Sequence, residues 1–195
     1  MKRLTTALAA ATVAMAGGLG VAQAATVDII DAPTGFFVPT DGQKNNSPYY
    51  RWHDEDWGWT HNAIAAGFTT AKLLISAFDV DLGSGEVDNI YAFDNGVKTL
   101  LGSLDGNNNV WAFTEFNLGA NFFDDIQAGL QVFIDIDSTH SSRTWAVTLA
   151  KSVITTDGGT PPNPDPDPVP LPAAGWLMLA GLGGIAGLRR RRKSA

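Results

Sequence analysis

Between residues 27 and 154 the apolar positions fall in short runs rich in Val, Ile, Thr, Phe and Trp, broken every few residues by Gly, Asn or Asp, with no sustained helical period. This pattern predicts strands at Val27–Ile30, Gly35–Val38, Asn62–Ala66, Lys72–Val80, Asn89–Phe93, Lys98–Leu104, Val110–Asn117, Leu130–Asp137 and Thr144–Ile154. Asp94-Asn95-Gly96 lies between two of these runs and carries two-residue hairpin chemistry, because Asn and Gly accept positive φ. Asp105-Gly106-Asn107 repeats that signal, and Phe122-Phe123-Asp124-Asp125-Ile126 reads as a short helical turn. Eight or nine short strands in roughly 130 residues predict one all-β domain, a jelly-roll-like β-sandwich in preference to a barrel.

The two ends of the chain break this pattern. Met1-Lys2-Arg3, the apolar stretch Leu4 to Val21 and the small-x-small Ala22-Gln23-Ala24 predict a signal peptide over 1–24, with signal peptidase cutting between Ala24 and Ala25. The domain then occupies 25–155. Residues 156–168 are rich in proline and aspartate, which predicts a semi-rigid spacer of roughly 40 Å in polyproline form. Behind it, Val169 to Leu188 is about 20 residues, close to the thickness of a bilayer core. Pro170 and Pro172 resist helix, so the expected span starts near Ala173. Arg189-Arg190-Arg191-Arg192-Lys193 is a basic stop that stays on the cytoplasmic side, leaving the domain outside. Gly175, Gly181, Gly183, Gly184 and Gly187 give the span a surface of small residues that can pack closely on a second membrane helix.

The motif Val169-Pro170-Leu171-Pro172-Ala173, with its apolar span and basic end, resembles the VPLPA-CTERM sorting signal, a variant of the PEP-CTERM class. The resemblance covers the tail, residues 169–195. It implies that an exosortase-type enzyme of the inner membrane recognises the motif, removes the span and basic end, and passes the domain to the cell surface or an exopolysaccharide matrix. A single-pass anchor that is never cut is the competing reading. Asp79-Val80-Asp81, Gly85 to Asp88, Asn95-Gly96, Gly102-Ser103-Leu104, Trp111 and Thr114-Glu115-Phe116 also look like β-sandwich ectodomains found ahead of such tails. That likeness implies a fold and no activity.

Charge sharpens the picture once the ends are set aside. All 20 acidic residues lie between Asp28 and Asp167, where only Lys44, Arg51, Lys72, Lys98, Arg143 and Lys151 oppose them, so the domain and spacer carry −14 against −7 for the whole chain. Such a surface repels nucleic acid and favours cations. With no cysteine, an exported domain has no disulfide framework and depends on packing or bound ions.

Two clusters carry candidate chemistry. Asp79, Asp81, Glu86 and Asp88 place four carboxylates within ten residues, a density of hard oxygen ligands that suits Ca²⁺. EF-hand spacing fails at Gly83, Ser84 and Ile90, and Asp135 and Asp137 are candidates to complete the site from another strand. The competing reading is a solvated acidic turn. The second cluster runs from Trp52 to His61, where Trp52, Trp57 and Trp59 among carboxylates are candidate glycan contacts, or else pack at one end of the sandwich. His53, His61 and His140 lack recognised zinc spacing. No Gly-x-Ser-x-Gly elbow, His-Glu-x-x-His pair or phosphate loop occurs, so no catalytic residue is assigned. The expectation is a non-catalytic surface or matrix protein; a calcium-dependent carbohydrate-binding module is the alternative.

Overall fold

The computed structural model describes residues 25–140 and 145–167. The proposed signal peptide up to Ala24, the sorting motif Val169–Ala173, the span and the basic stop Arg189–Lys193 lie outside the described residues.

Among the described residues, nine strands form two antiparallel sheets: β1 (Thr26–Asp31), β2 (Arg51–Trp52), β3 (Trp57–Thr60), β4 (Ala71–Phe78), β5 (Asn89–Asp94), β6 (Val97–Ser103), β7 (Trp111–Leu118), β8 (Gln131–Asp135) and β9 (Ala146–Thr156). The first sheet runs β1-β9-β4-β7, with β2 attached to β9; the second runs β3-β8-β5-β6. Strand pairing is nested: β5 with β6, β4 with β7, β3 with β8, β1 with β9. The innermost turn is the expected hairpin at Asn95-Gly96, where φ is +49° and +80°. Both values lie where Asn and Gly are tolerated and bulkier side chains are not, so the turn follows from these two residues. The helical turn expected near Phe122 is present as α1 (Phe123–Ala128) behind a single 3₁₀ turn.

The inward faces of both sheets supply one core, with Leu73, Ile75, Ile90, Ile134, Leu149 and Ile154 buried together and Phe37, Phe122 and Ile126 joining from connections. Among the described residues the architecture is all-β and β-sandwich-like.

Three expectations are corrected. Gly35–Val38 is no strand: Thr34 N–H donates to Asp31 O at 2.9 Å and Gly35 takes φ +52°, so the chain turns while Phe37 and Val38 stay buried. Asn62–Ala66 is irregular, tied through Ile64 N–H to Ile126 O at 3.1 Å. Trp57–Thr60, absent from the expected strands, is an edge strand whose buried-exposed alternation sends both tryptophans inward.

The spacer also differs from expectation. β9 runs through Thr156, and Asp157-Gly158 then reverses the chain with φ of +49° and +81°. Gly159 N–H closes the turn on Thr156 O at 3.1 Å. The Asp157 carboxylate accepts from Thr69 N–H at 2.8 Å and Thr70 N–H at 3.0 Å, pinning the reversal to the start of β4. The proline-rich segment therefore returns over the first sheet, where Lys151 and Ser76 bond to it.

Candidate functional site

β4 ends at Phe78, and Asp79 turns the chain with φ +69°. Its carboxylate points across the sheet: Oδ2 accepts from Tyr50 Oη at 3.1 Å and Oδ1 from Asn109 N–H at 2.9 Å. A 3₁₀ turn at Leu82–Ser84 then brings Glu86 back so that its carboxyl receives Asp81 N–H. Asp81 remains half-buried at the surface, where burial and the Asp79 charge raise its pKa.

Glu86 and Asp88 go the other way. Each is only 1% exposed. Asp88 Oδ1 accepts from Asp137 N–H at 2.8 Å, whereas Glu86 Oε1 and Asp88 Oδ2 have no other donor. The two carboxyl groups are within hydrogen-bonding reach of one another, an arrangement open to a pair of acids only when one keeps its proton. Burial first, then the Asp88 charge, pushes Glu86 up to about 9; burial also raises Asp88, partly offset by the Asp137 N–H and by the bond from Glu86. Of the two acids, Glu86 is the one raised further, so the proton of the pair is favoured there.

The four carboxylates expected as one calcium site differ in exposure, with Asp79 and Asp81 half-buried at the surface and Glu86 and Asp88 enclosed, while Glu86 stays within reach of the Asp81 charge. Asp137 supplies its backbone N–H to Asp88 and turns its own carboxylate to His140 Nδ1 and Trp145 N–H, while Asp135 is raised by burial and by the charge of Asp56. Among the described residues no three His, Asp or Glu side chains gather as a metal-ligand set. His53 sits beside Asp54 at 3.1 Å and is not joined to His61 or His140.

The aromatic cluster is likewise split. Trp57 and Trp59 are corrected from candidate glycan contacts to core residues: both are buried, with Phe37 edge-on to their rings at 4.8 and 5.2 Å. Such large rings gain more from burial between sheets than from water. Trp52 remains at the surface, half-buried, with Tyr50 edge-on at 5.5 Å. Together with Asn45, Ser47, Arg51 and Glu55 these two aromatics line an open cleft of about 220 Å³. The cleft is stiffened from within. Trp52 N–H donates to Glu55 Oε2 at 2.8 Å, Arg51 Nε donates to Glu55 O at 2.6 Å, and the guanidinium lies 3.8 Å over the Phe36 ring. Two aromatic faces with amide, hydroxyl, guanidinium and carboxylate groups are the chemistry that engages a polyhydroxylated ligand.

Tyr50 joins the two clusters. Burial, then the charge of Asp79, pushes its hydroxyl up to about 12, so it stays a donor to Asp79 across the physiological range. Sequence spacing alone does not reveal that contact, since 29 positions separate the partners.

A further constellation escaped sequence reading. His61 Nδ1 bonds Asp28 Oδ2 at 2.8 Å and His61 Nε2 bonds Ser152 Oγ at 2.7 Å. The order is that of a nucleophile triad, turned inside out: Ser152 is 0% exposed, whereas Asp28 borders solvent. A hydroxyl sealed in the core has no access to substrate in this conformation, so the three residues act as a clamp joining β1, β9 and the segment after β3.

No protein-family model and no curated protein matches the chain. Among solved structures, the chain is similar to the coat protein of tobacco streak virus, with 16% identity over 78% of this chain and 99% of that one, at a TM-score of 0.35. At that score nothing follows about function or assembly.

Proposed function

We propose that this chain is an exported, non-catalytic cell-surface or extracellular-matrix protein, sorted by an exosortase-type enzyme and associated with exopolysaccharide through the cleft at Tyr50, Trp52 and Glu55. The observation that carries the binding part is the cleft itself, a stiffened polar pocket walled by two aromatic rings on a strongly acidic domain. The export part rests on the tail motif and the leader, and is supported by the position of β1, which starts at Thr26, one residue into the expected mature chain. Nested pairing of eight strands in the orders β1-β9-β4-β7 and β3-β8-β5-β6 supports reading the domain as a jelly roll, an architecture that leaves connections free at its ends for ligands.

Calcium dependence is the second reading. It is favoured by the Tyr50–Asp79 bond, which ties Asp79 to a residue lining the cleft, with Asp81 near enough to feel the Asp79 charge. A cation held there would relieve the repulsion that raises Asp81.

Sorting is tested by intact-mass analysis of the secreted protein. The expected masses lack residues 1–24 and the basic stop Arg189–Lys193; retention of that stop in the surface-associated protein would sink the processing claim.

A further inference from the structure

Lys151 is 1% exposed, yet it sits on the outward face of β9, between Asp31 of β1 and Ser76 of β4. A lysine is almost never enclosed unless its ammonium is paired, so something must have been built to receive it. Its partners come from the returning segment: Nζ donates to Asn163 O at 2.9 Å and to Asp167 Oδ1 at 2.7 Å, and Ser76 Oγ donates to Pro164 O beside them. Asp31 completes the charge pattern, its pKa raised by burial and by the Asp167 charge and drawn down by Lys151. Prolines at 161, 162, 164 and 166 hold the segment extended, which lowers the entropy lost on docking.

We infer that the outer face of the first sheet is a binding site for an acidic, proline-rich extended segment, filled in cis by Asn163–Asp167, with Lys151 as its latch. The Asp157-Gly158 turn delivers the segment, and the ammonium holds it. Where the tail reading is correct, the strap docks the chain two residues ahead of Val169, the first residue of the sorting motif. The strap itself does not depend on that reading.

The chain has no cysteine, so single thiols report on the strap without background. In the full chain, Ser76→Cys lies beneath Pro164 and Lys72→Cys is an exposed control on the same strand. The strap predicts slow thiol labelling of Ser76→Cys, accelerated roughly tenfold or more by adding Lys151→Met or Asp167→Asn, as expected for a locally opened element. Labelling of Ser76→Cys as fast as the Lys72→Cys control, or unchanged by both latch substitutions, would overturn the inference. A spin label at exposed Asp165 gives a second readout that leaves the sheet intact: it should be immobile in the parent chain and mobile with Lys151→Met, and equal mobility in both would also overturn it. Tail loss measured by mass is a separate result, so the sorting proposal and the strap fail independently.

Discussion

Replacing His61 with leucine is expected to destabilise the domain by about 2–4 kcal/mol, the range for removing a buried group whose partners are then left unpaired. The carboxylate of Asp28 can only accept from Nδ1, so the imidazole proton on that side is assigned by its partner. Asp28 keeps Asn62 N–H at 3.1 Å and Asn62 Nδ2 at 2.9 Å after the change, whereas Ser152 Oγ loses its bond to the ring. Most of the cost therefore falls on Ser152 and on the space vacated by the ring. Ser152→Ala alone should cost about 1 kcal/mol, and combining it with His61→Leu should cost less than the sum, since the orphaned hydroxyl is removed. Urea denaturation of the four proteins measures this. A His61→Leu change below about 1 kcal/mol would show that the clamp is dispensable.

The second large effect is a stability that rises on acidification. Glu86 titrates in the unfolded chain near the ordinary glutamate value of about 4.3, whereas burial and Asp88 raise it to about 9 in the fold. Between those values the native state binds more protons than the unfolded state, so stability is fullest below the lower value and is lost as pH rises toward the upper one. Between pH 5 and pH 8, three pH units that lie inside this window, the expected loss is on the order of 4 kcal/mol. Asp28 and Asp41, whose pKa values are lowered, oppose this trend only at pH below the ordinary carboxylate range. Glu86→Gln keeps the shape and neutral charge of the protonated acid; it should flatten the profile and raise the melting temperature at pH 8. A profile that is flat in the parent chain, or a strongly destabilised Glu86→Gln at pH 8, would contradict a shared proton between Glu86 and Asp88.

Several strands were legible because their residues alternate or run apolar between turn signals. β5 and β6 follow directly from their composition and from Asn95-Gly96, whose φ values match the expected turn. β3 was hidden because Trp57-Gly58-Trp59-Thr60 lies among acidic residues, although its two-residue alternation is the strand signature. Gly35–Val38 misled in the opposite sense: burial of Phe37 and Val38 needs no strand when a glycine turns the chain beneath them. The strap carried a readable clue in Asp157-Gly158, which has the same chemistry as Asn95-Gly96, but proline-rich composition pointed to an extended spacer. At the candidate site, sequence proximity suggested that four carboxylates act together, whereas the turn at Asp79 and the 3₁₀ turn after Asp81 send two of them outward and two inward. The clamp joins residues 33 and 91 positions apart from His61, a distance at which a single sequence offers no periodicity to read.

The most direct test of the proposed function is co-sedimentation of the secreted protein with the exopolysaccharide of its producing cells, with calcium and with chelator, comparing the parent with Trp52→Ala. The parent is expected to sediment with the polysaccharide, and Trp52→Ala to lose most of that binding while remaining folded. Loss of parent binding in chelator would add calcium at Asp79 and Asp81 to the mechanism. Failure of the parent to sediment under either condition, or equal sedimentation by Trp52→Ala, would contradict the cleft as the site of matrix attachment.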